Sequence, residues 1–452
     1  MLQNNKYLHL VSLQSLINWS VAHLISRDLG FTKKFPFIRI GDIISRSTIL
    51  ITVEDEILYK QVTVKTNGGG AVLRDEKNGK KKGKDIGIKK QYIAKEGQFI
   101  MSKIDARNGA FGIISKELDG AIVTGDFPLF DVNAQKVDPF YLYLLSTTKP
   151  FVKYAQSCSR GTTNRQRIDI DMFLSQEIPL PSLAEQKNIV DAYNYAISQA
   201  NHYAQEADNI DEQIENYLQN KLGFAQVLIT QKQTTIGKFI KLFHLKNITR
   251  WDVYNSKNNS YSGLYSNQLL RDILISTPKY GAGYKAEKKQ RDVRYIRITD
   301  INEDGSLNND FASVPKFDKQ YLLKQNDFLI ARTGNTVGKT FLYDESMGQA
   351  IYAGYLIKFE LDTNKVNPQY LLAYTKSSVY KQWIQNNMRI SAQPNINSKQ
   401  YEESPIILPP LNIQNKIVEH ITALRKKQKD LQQKSLTLRQ QATQQFEQTM
   451  FN

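Results

Sequence analysis

Residues 180–190 read LPSLAEQKNIV and residues 408–418 read LPPLNIQNKIV, so one short pattern stands twice in the chain, 228 positions apart. In each copy a proline-containing hinge, EIPLPS at 177–182 or IILPP at 406–410, is followed by a leucine, a glutamine and a run of helix formers. Behind the first hinge Ile189, Tyr193, Ala196, Ala200, Tyr203, Ala207, Ile210, Ile214 and Tyr217 are spaced alternately four and three residues apart. That spacing is the apolar seam of a coiled coil, and Lys221-Leu222-Gly223 supplies its stop. Behind the second, Ile417, Ile421, Leu424, Leu431, Leu438 and Ala442 lie on the same lattice, with Gln428 and Ser435 interrupting it. Each helix is expected to run ~40 residues, or ~60 Å at ~1.5 Å per residue. A helix of that length with an apolar seam needs a partner. The other copy is the nearest one, and assembly between chains is the alternative.

The duplication extends outward from these helices. Trp19 matches Trp251 at a separation of 232, and Asp42 matches Asp272 at 230. Phe99 and Phe328, Gly109 and Gly338, Gly125 and Gly354, and Pro139 and Pro368 all match at 229, and Leu183 with Leu411 and Gln186 with Gln414 at 228. So small a drift marks a chain written twice. Each half has the same order: a mixed unit of short strands, turns and helices, then the hinge, then one long helix. Two tandem mixed units therefore alternate with two long helices, which can pair with each other antiparallel. Antiparallel pairing carries the units to opposite ends about a pseudo-twofold axis, which matches the dyad of duplex DNA with one unit per half-site. Because the units differ in sequence, the halves they read should differ.

Two near-miss motifs dissolve under this alignment. TGNTVGKT at 333–340 ends like a phosphate-binding P-loop, but GxxxxGK[ST] requires a longer glycine-rich turn that opens a helix. Only three residues separate Gly334 from Gly338, and the flanks NDFLIAR and TFLYD read as strands. The first copy has IDARNGAF here, with Ala110 and Phe111 in place of Lys339 and Thr340, so the shared feature is a turn glycine. Similarly, DPFY at 138–141 and NPQY at 367–370 resemble the [DN]PP[YF] motif of amino-methyltransferases but lack its second proline. They read instead as helix starts, with Asp138 or Asn367 as N-cap and Pro139 or Pro368 at the first helical position.

Sixty Lys+Arg against forty-four Asp+Glu give a formal net charge of +16 and a pI near 9.4. Such a field favours a polyanion, either nucleic acid or an acidic membrane. One cysteine, Cys158, excludes a disulfide framework and a Cys-rich metal site, and the five histidines show no ligand spacing. No metal site is expected. The first twenty residues lack the continuous apolar core of a signal peptide, and no segment approaches the ~20 apolar residues of a membrane span. A cytoplasmic protein with no membrane contact is expected.

The copies agree least over residues 60–95 and 276–325, as in a scaffold whose loops choose the target. Both stretches are basic. KNGKKKGKDIGIKK at 77–90 has seven lysines, among them Lys80, Lys81 and Lys82. PKYGAGYKAEKKQRDVRYIR at 278–297 carries Lys279, Lys285, Lys288, Lys289 and Arg291 beside Tyr280, Tyr284 and Tyr295. Lysine suits phosphates as a point charge, whereas Arg and Asn read base edges bidentately. A solvated loop is the alternative reading of either stretch. Basic positions kept in both copies are Lys103 with Arg332 at a strand end and Arg160 with Arg389 before a polar segment. Arg107, Asn108, Asn335 and Lys339 lie in the paired turns. These residues are the candidates for DNA binding, a structural ion pair being the other role open to the shared ones.

The WSV and WDV starts, the strands GQFIMSKIDARNGAFG and DFLIARTGNTVGK, the V[DN]PxYL helix starts and the LPxLxEQxxIV pattern together resemble the specificity subunit of a type I restriction–modification system. LNIQNKIV departs from the last pattern in having Ile413 where Glu185 stands in the first copy. The resemblance implies an α+β fold class, with two tandem target-recognition domains at residues 1–180 and 224–408 separated by two long helices at 181–223 and 409–452 that form an antiparallel coiled coil. Each domain would read one half of a bipartite, non-palindromic DNA site, with the helices setting the gap and docking methyltransferase subunits. It further implies two modification subunits that bind S-adenosylmethionine and methylate adenine N6, and a restriction subunit that translocates and cleaves DNA with ATP and Mg. On that division of labour this chain binds no cofactor and catalyses nothing alone. Similar subunits also serve enzymes that fuse methylation and cleavage in one partner, and a standalone DNA-binding regulator remains the reading from a different class. Whether residues 1–18 pack with the C-terminal helix is left open.

Overall fold

The computed structural model describes residues 29–79, 86, 90–160, 166–224, 263–388 and 394–452. Trp19, Trp251, residues 1–18, Lys80, Lys81, Lys82 and Arg389 lie outside the described residues, as does the side chain of Arg160. The described residues fall into two compact units, one running to His202 and resuming at Lys434, the other spanning Tyr203–Gln433.

In the first unit a four-stranded antiparallel sheet has the order Ile44–Arg46, Leu129–Val132, Phe99–Met101, Phe111–Ile113. A five-stranded sheet has the order Leu50–Thr52, Lys90–Ile93, Ile122–Val123, Leu58–Val64, Ala71–Asn78. Two short pairs complete it, Phe37–Arg39 with Glu177–Pro179 and Ser159–Arg160 with Arg167–Ile168. Helices α1 (Pro139–Thr147), α2 (Lys149–Ser157) and α3 (Ile170–Leu174) pack on the four-stranded sheet and lead into α4 (Leu183–Leu222). Phe99, Phe111, Phe151 and Phe173 meet between them with neighbouring ring centroids 5.8–6.4 Å apart, the offset and edge-on distances at which aromatic pairs attract.

The second unit repeats this framework. Asn267–Leu269 pairs with Pro405–Ile407, and a four-stranded sheet runs Lys279–Tyr280, Leu356–Glu360, Asp327–Ala331, Thr340–Leu342. Helices α5 (Pro368–Tyr374), α6 (Ser378–Asn387) and α7 (Ser398–Glu402) follow in the same order and lead into α8 (Leu411–Phe451). The divergent stretch is where the units part. The first builds a long hairpin there, Leu58–Val64 against Ala71–Asn78, while the second has turns, isolated bridges and one parallel pair, Arg294–Ile296 with Ala350–Tyr352.

Gly334–Thr336 forms a single 3-10 turn between strands Asp327–Ala331 and Thr340–Leu342, which pair antiparallel. No helix opens after it, so the segment is a hairpin turn, as its sequence predicts. The aligned glycines are needed for the same reason in both copies. Gly109 has φ +75° and Gly338 φ +86°, and a Cβ on Gly338 would lie 2.8 Å from Ile384 Cγ1.

Within each unit the long helices run antiparallel. In the second, the Tyr217 and His420 rings stack at 4.0 Å, and Gln428 Nε2 donates to the Ala207 carbonyl at 3.0 Å. In the first, Arg439 donates to Asn201 and Tyr193 is hydrogen-bonded by Thr443. The seam residues Ala200, Ala207, Ile210, Ile214, Ile417, Ile421, Leu431 and Ala442 are buried, and Ile189, Tyr193, Ala196, Tyr203, Tyr217, Leu424 and Leu438 half-buried. The buried stripe is wider than a strict heptad seam. Val190, Phe446 and Met450 join the first unit's core and Leu218 and Leu222 the second's, because each helix packs on a globular unit as well as on its partner. α4 ends at Leu222, with Gly223 at φ +74°. Among the described residues no helix is long and apolar enough to cross a membrane.

Candidate nucleic-acid interface

The glutamine of the duplicated helix start ties the framework together. Gln186 is fully buried. Its Oε1 accepts from the Asp138 amide at 2.7 Å, and its Nε2 donates to the Lys136 carbonyl at 3.1 Å and the Pro181 carbonyl at 2.8 Å. Gln414, equally buried, accepts from the Asn367 amide at 2.7 Å and donates to the Lys365 and Pro409 carbonyls at 3.1 and 2.7 Å. The residues so held are the N-caps of α1 and α5. Asp138 accepts from the Phe140 and Tyr141 amides, and Asn367 from the Gln369 and Tyr370 amides. The tyrosine of each V[DN]PxYL start then reaches back to the hinge, Tyr141 donating to the Pro179 carbonyl at 2.8 Å and Tyr370 to that of Ile407 at 2.5 Å. These roles were not apparent in the sequence; the signal was a polar residue kept in both copies at the start of an otherwise apolar seam.

The departure at Ile413 has a local cause. Ser182 and Glu185 form a reciprocal capping box on α4, the Ser182 amide donating to Glu185 Oε2 at 3.0 Å and the Glu185 amide to Ser182 Oγ at 3.4 Å. The Ser182 donors hold the Glu185 carboxyl below its ordinary range. Pro410 stands in the place of Ser182 in the second copy and has neither a hydroxyl nor an N–H for a glutamate to meet.

The same backbone bonds fix the strand-end basic residue in each copy. The Lys103 amide donates to the Asp126 carbonyl at 2.8 Å, and its carbonyl accepts from Ile168 at 2.9 Å. The Arg332 amide donates to the Tyr355 carbonyl at 3.0 Å, and its carbonyl accepts from Ile396 at 3.0 Å. Around Lys103, burial and then the Arg46 charge push the ammonium below the ordinary lysine range, Asp126 opposing and Arg167 adding to the push. Arg167 lies 3.2 Å from Asp126, and Arg107 donates to Gln166 at 3.2 Å. The Arg332 guanidinium sits over the Tyr280 ring, 4.9 Å from its centroid. Tyr280 is itself held by Ser398, whose hydroxyl and amide each lie 3.1 Å from the phenol oxygen. Asn108 and Asn335 are exposed in the paired turns.

The remaining candidates divide by partner. Lys285, Lys288 and Lys289 are exposed. Lys279 lies 3.3 Å from Glu360, Arg291 2.9 Å from Glu287, and Lys339 2.8 Å from Glu303. Lys358, missed in the sequence, is buried between Asp327 at 3.2 Å and Glu360 at 2.8 Å. The Lys358 hydrogen bond holds Glu360 down to about 2, whereas burial raises Asp327. Lys376 donates to the Thr340 carbonyl and hydroxyl at 3.1 and 2.9 Å, and burial lowers it to about 8. Among the described residues no group of His, Cys, Asp and Glu has the geometry to hold a metal. The exposed cations, the strand-end arginine and lysine, and the turn asparagines offer what a nucleic-acid surface requires: point charges for phosphates and planar donors for base edges.

Comparison with known proteins places the chain in a family. The family described as type I restriction modification DNA specificity domain matches residues 25–215 and 270–438, one segment in each copy. The type I restriction enzyme EcoBI specificity subunit of Escherichia coli is 24% identical over 257 residues, 55% of this chain and 51% of that protein, so the chain spans about half the length of this curated relative. A structure solved in work on complex assembly and conformational transition of the type I R-M system is 15% identical, with 93% of this chain and 97% of that one covered at a TM-score of 0.55. That likeness is one of fold. Matched in both halves and over most of its length, the chain belongs to the type I restriction modification DNA specificity domain family.

Proposed function

We propose that this chain is the DNA sequence-specificity subunit of a type I restriction–modification enzyme, each unit reading one half of a bipartite, non-palindromic site. The observation that carries the reading is a duplicated framework with matching buried anchors, Gln186 and Gln414, beneath unlike basic loops. A scaffold of that kind presents two different surfaces from one fold, which a non-palindromic target needs. The paired helices set the gap between half-sites and dock two methyltransferase subunits, and a restriction subunit completes the assembly. S-adenosylmethionine, ATP and Mg belong to those partners. The chain itself catalyses nothing, and its place is the cytoplasm.

Mapping adenine methylation across a genome tests this. Cells expressing the companion methyltransferase should carry a bipartite motif when this chain is present and lose it when the chain is absent. A methylation pattern indifferent to the chain refutes the reading.

A further inference from the structure

We propose that Arg332, Tyr355 and Asn395 form the base-reading set of the second unit, with Tyr280 as the platform that orients Arg332. The inference rests on the specificity reading above and names the residues that would carry it in one half.

Three observations converge. The first is position. The backbone bonds that join Arg332 to Tyr355 and to Ile396, the neighbour of Asn395, are the same bonds that join Lys103 to Asp126 and to Ile168, the neighbour of Arg167. The scaffold therefore delivers three side chains to one place in each unit and changes only their identity: Lys103, Asp126 and Arg167 in one, Arg332, Tyr355 and Asn395 in the other. The second is commitment. In the first unit the set is internally paired, with Arg167 3.2 Å from Asp126. In the second it is open: among the described residues the Arg332 side chain makes no hydrogen bond or ion pair, and the buried Arg332 Nε and Asn395 Oδ1 have no partner. Buried polar atoms left unmatched are rare and costly, and a ligand that completes their groups removes the cost.

The third is chemistry. Arginine presents a planar fork that matches guanine O6 and N7, and asparagine an amide that matches adenine N6 and N7. Packing over Tyr280, whose hydroxyl donates to Ser398 Oγ and accepts from the Ser398 amide, fixes the plane of the fork before DNA arrives. Tyr355, 57% exposed, adds an apolar edge with a hydroxyl at its tip. The first unit offers cations instead, with Lys103 weakened by burial and by Arg46, an arrangement that an approaching phosphate relieves.

The test uses the assembled methyltransferase complex and reads the motif it methylates from a randomised duplex pool. Wild type should give a bipartite motif. Arg332→Lys keeps the charge but loses the fork, and Asn395→Asp keeps the shape but loses the amide donor. Each should relax one or more positions in one half of the motif by roughly tenfold to a hundredfold, leaving the other half as an internal measure of intact folding. Arg332→Ala should relax the same position as Arg332→Lys. Should Arg332→Ala lower the thermal midpoint, the lysine variant decides alone. A motif unchanged in Arg332→Lys and Asn395→Asp overturns the proposal, as does an affinity that falls equally for every sequence, the behaviour of a phosphate contact. Both of those results leave the specificity role standing, whereas a wild-type complex with no bipartite motif sinks both.

Discussion

Replacing Gln186 by methionine keeps the length and bulk of the side chain and removes both halves of its amide. Three backbone groups then lose their partner: the buried Pro181 carbonyl at 2.8 Å and the part-buried Asp138 N–H and Lys136 carbonyl at 2.7 and 3.1 Å. A buried polar group left unsatisfied costs about 1–3 kcal/mol, and the two part-buried groups cost less because water can reach them on relaxation, so the total should be on the order of 2–4 kcal/mol. Gln414→Met strands the Asn367 N–H and the Lys365 and Pro409 carbonyls at nearly identical distances, 2.7, 3.1 and 2.7 Å. Its cost should match that of Gln186→Met to within about 1 kcal/mol, the usual spread for one chemistry in two similar settings. Because a chain of two units does not unfold in a single step, a bulk melt is the wrong readout. Amide hydrogen exchange with mass spectrometry resolves local opening, α1 and the start of α4 reporting on the first site, α5 and the start of α8 on the second. Each variant should lower opening free energy around its own helix start. A loss below about 1 kcal/mol at both sites would show that the glutamines fill space and do not satisfy the backbone.

Gly338→Ala forces a Cβ onto a left-handed residue and against Ile384, and should lower the opening free energy of the second unit by about 2–4 kcal/mol in hydrogen exchange, whereas Gly109→Ala, with its nearest contact at 3.2 Å on Val152, should cost the first unit less. The Glu360 carboxyl is held at about 2, below its ordinary value of 4.5, chiefly by Lys358. A depressed acid stabilises the fold above its unfolded value and loses that contribution as pH falls through the folded one. Glu360→Gln should therefore be less stable than wild type at pH 7 by on the order of 2–3 kcal/mol, the two converging between about pH 4.5 and pH 2; parallel pH–stability curves would exclude the Lys358 partnership as the cause. Lys288→Ala and Lys289→Ala remove exposed cations with no fork. If these contact phosphates, each should cut the slope of log affinity against log salt by about 0.9 and leave the methylated motif unaltered, and a changed motif would assign them to bases instead.

The features that could be read from the sequence are those set by neighbours in the chain. The stop at Gly223, the caps at Asp138 and Asn367 and the turn glycines Gly109 and Gly338 each depend on a few adjacent residues, and the structure has them in those roles. The long helices were legible because a repeat of alternating four and three residues needs no knowledge of what it packs against. What escaped depends on residues brought together by folding. Gln186 meets a backbone amide 48 residues away, Lys339 is neutralised by Glu303, and Asn395 becomes part of a site only because Ile396 bonds to Arg332. In the sequence Lys339 and Lys285 were both candidates for DNA binding; the fold gives the first a carboxylate 2.8 Å away and leaves the second exposed. The long hairpin of the first unit was also hidden, since its strand Ala71–Asn78 alternates only partly buried with exposed residues and lacks a clear apolar face.

Why the duplicated halves kept some residues and changed others follows from the same energetics. Gln186 and Gln414 are themselves fully buried and each satisfies three backbone groups, so a side chain that cannot replace those bonds should cost a sizeable share of a stability that is itself only about 5–15 kcal/mol. Both copies are therefore held to glutamine. At the strand ends the backbone bonds carry the structure, and the side chains there are half-buried or exposed, so a change of side chain leaves those bonds in place. There the copies hold Lys103 against Arg332, Asp126 against Tyr355 and Arg167 against Asn395 on the same backbone bonds. On the function proposed above, a scaffold that separates its buried anchors from its variable strand-end positions in this way would let one unit's half-site change while the other unit and the long helices stay as they are.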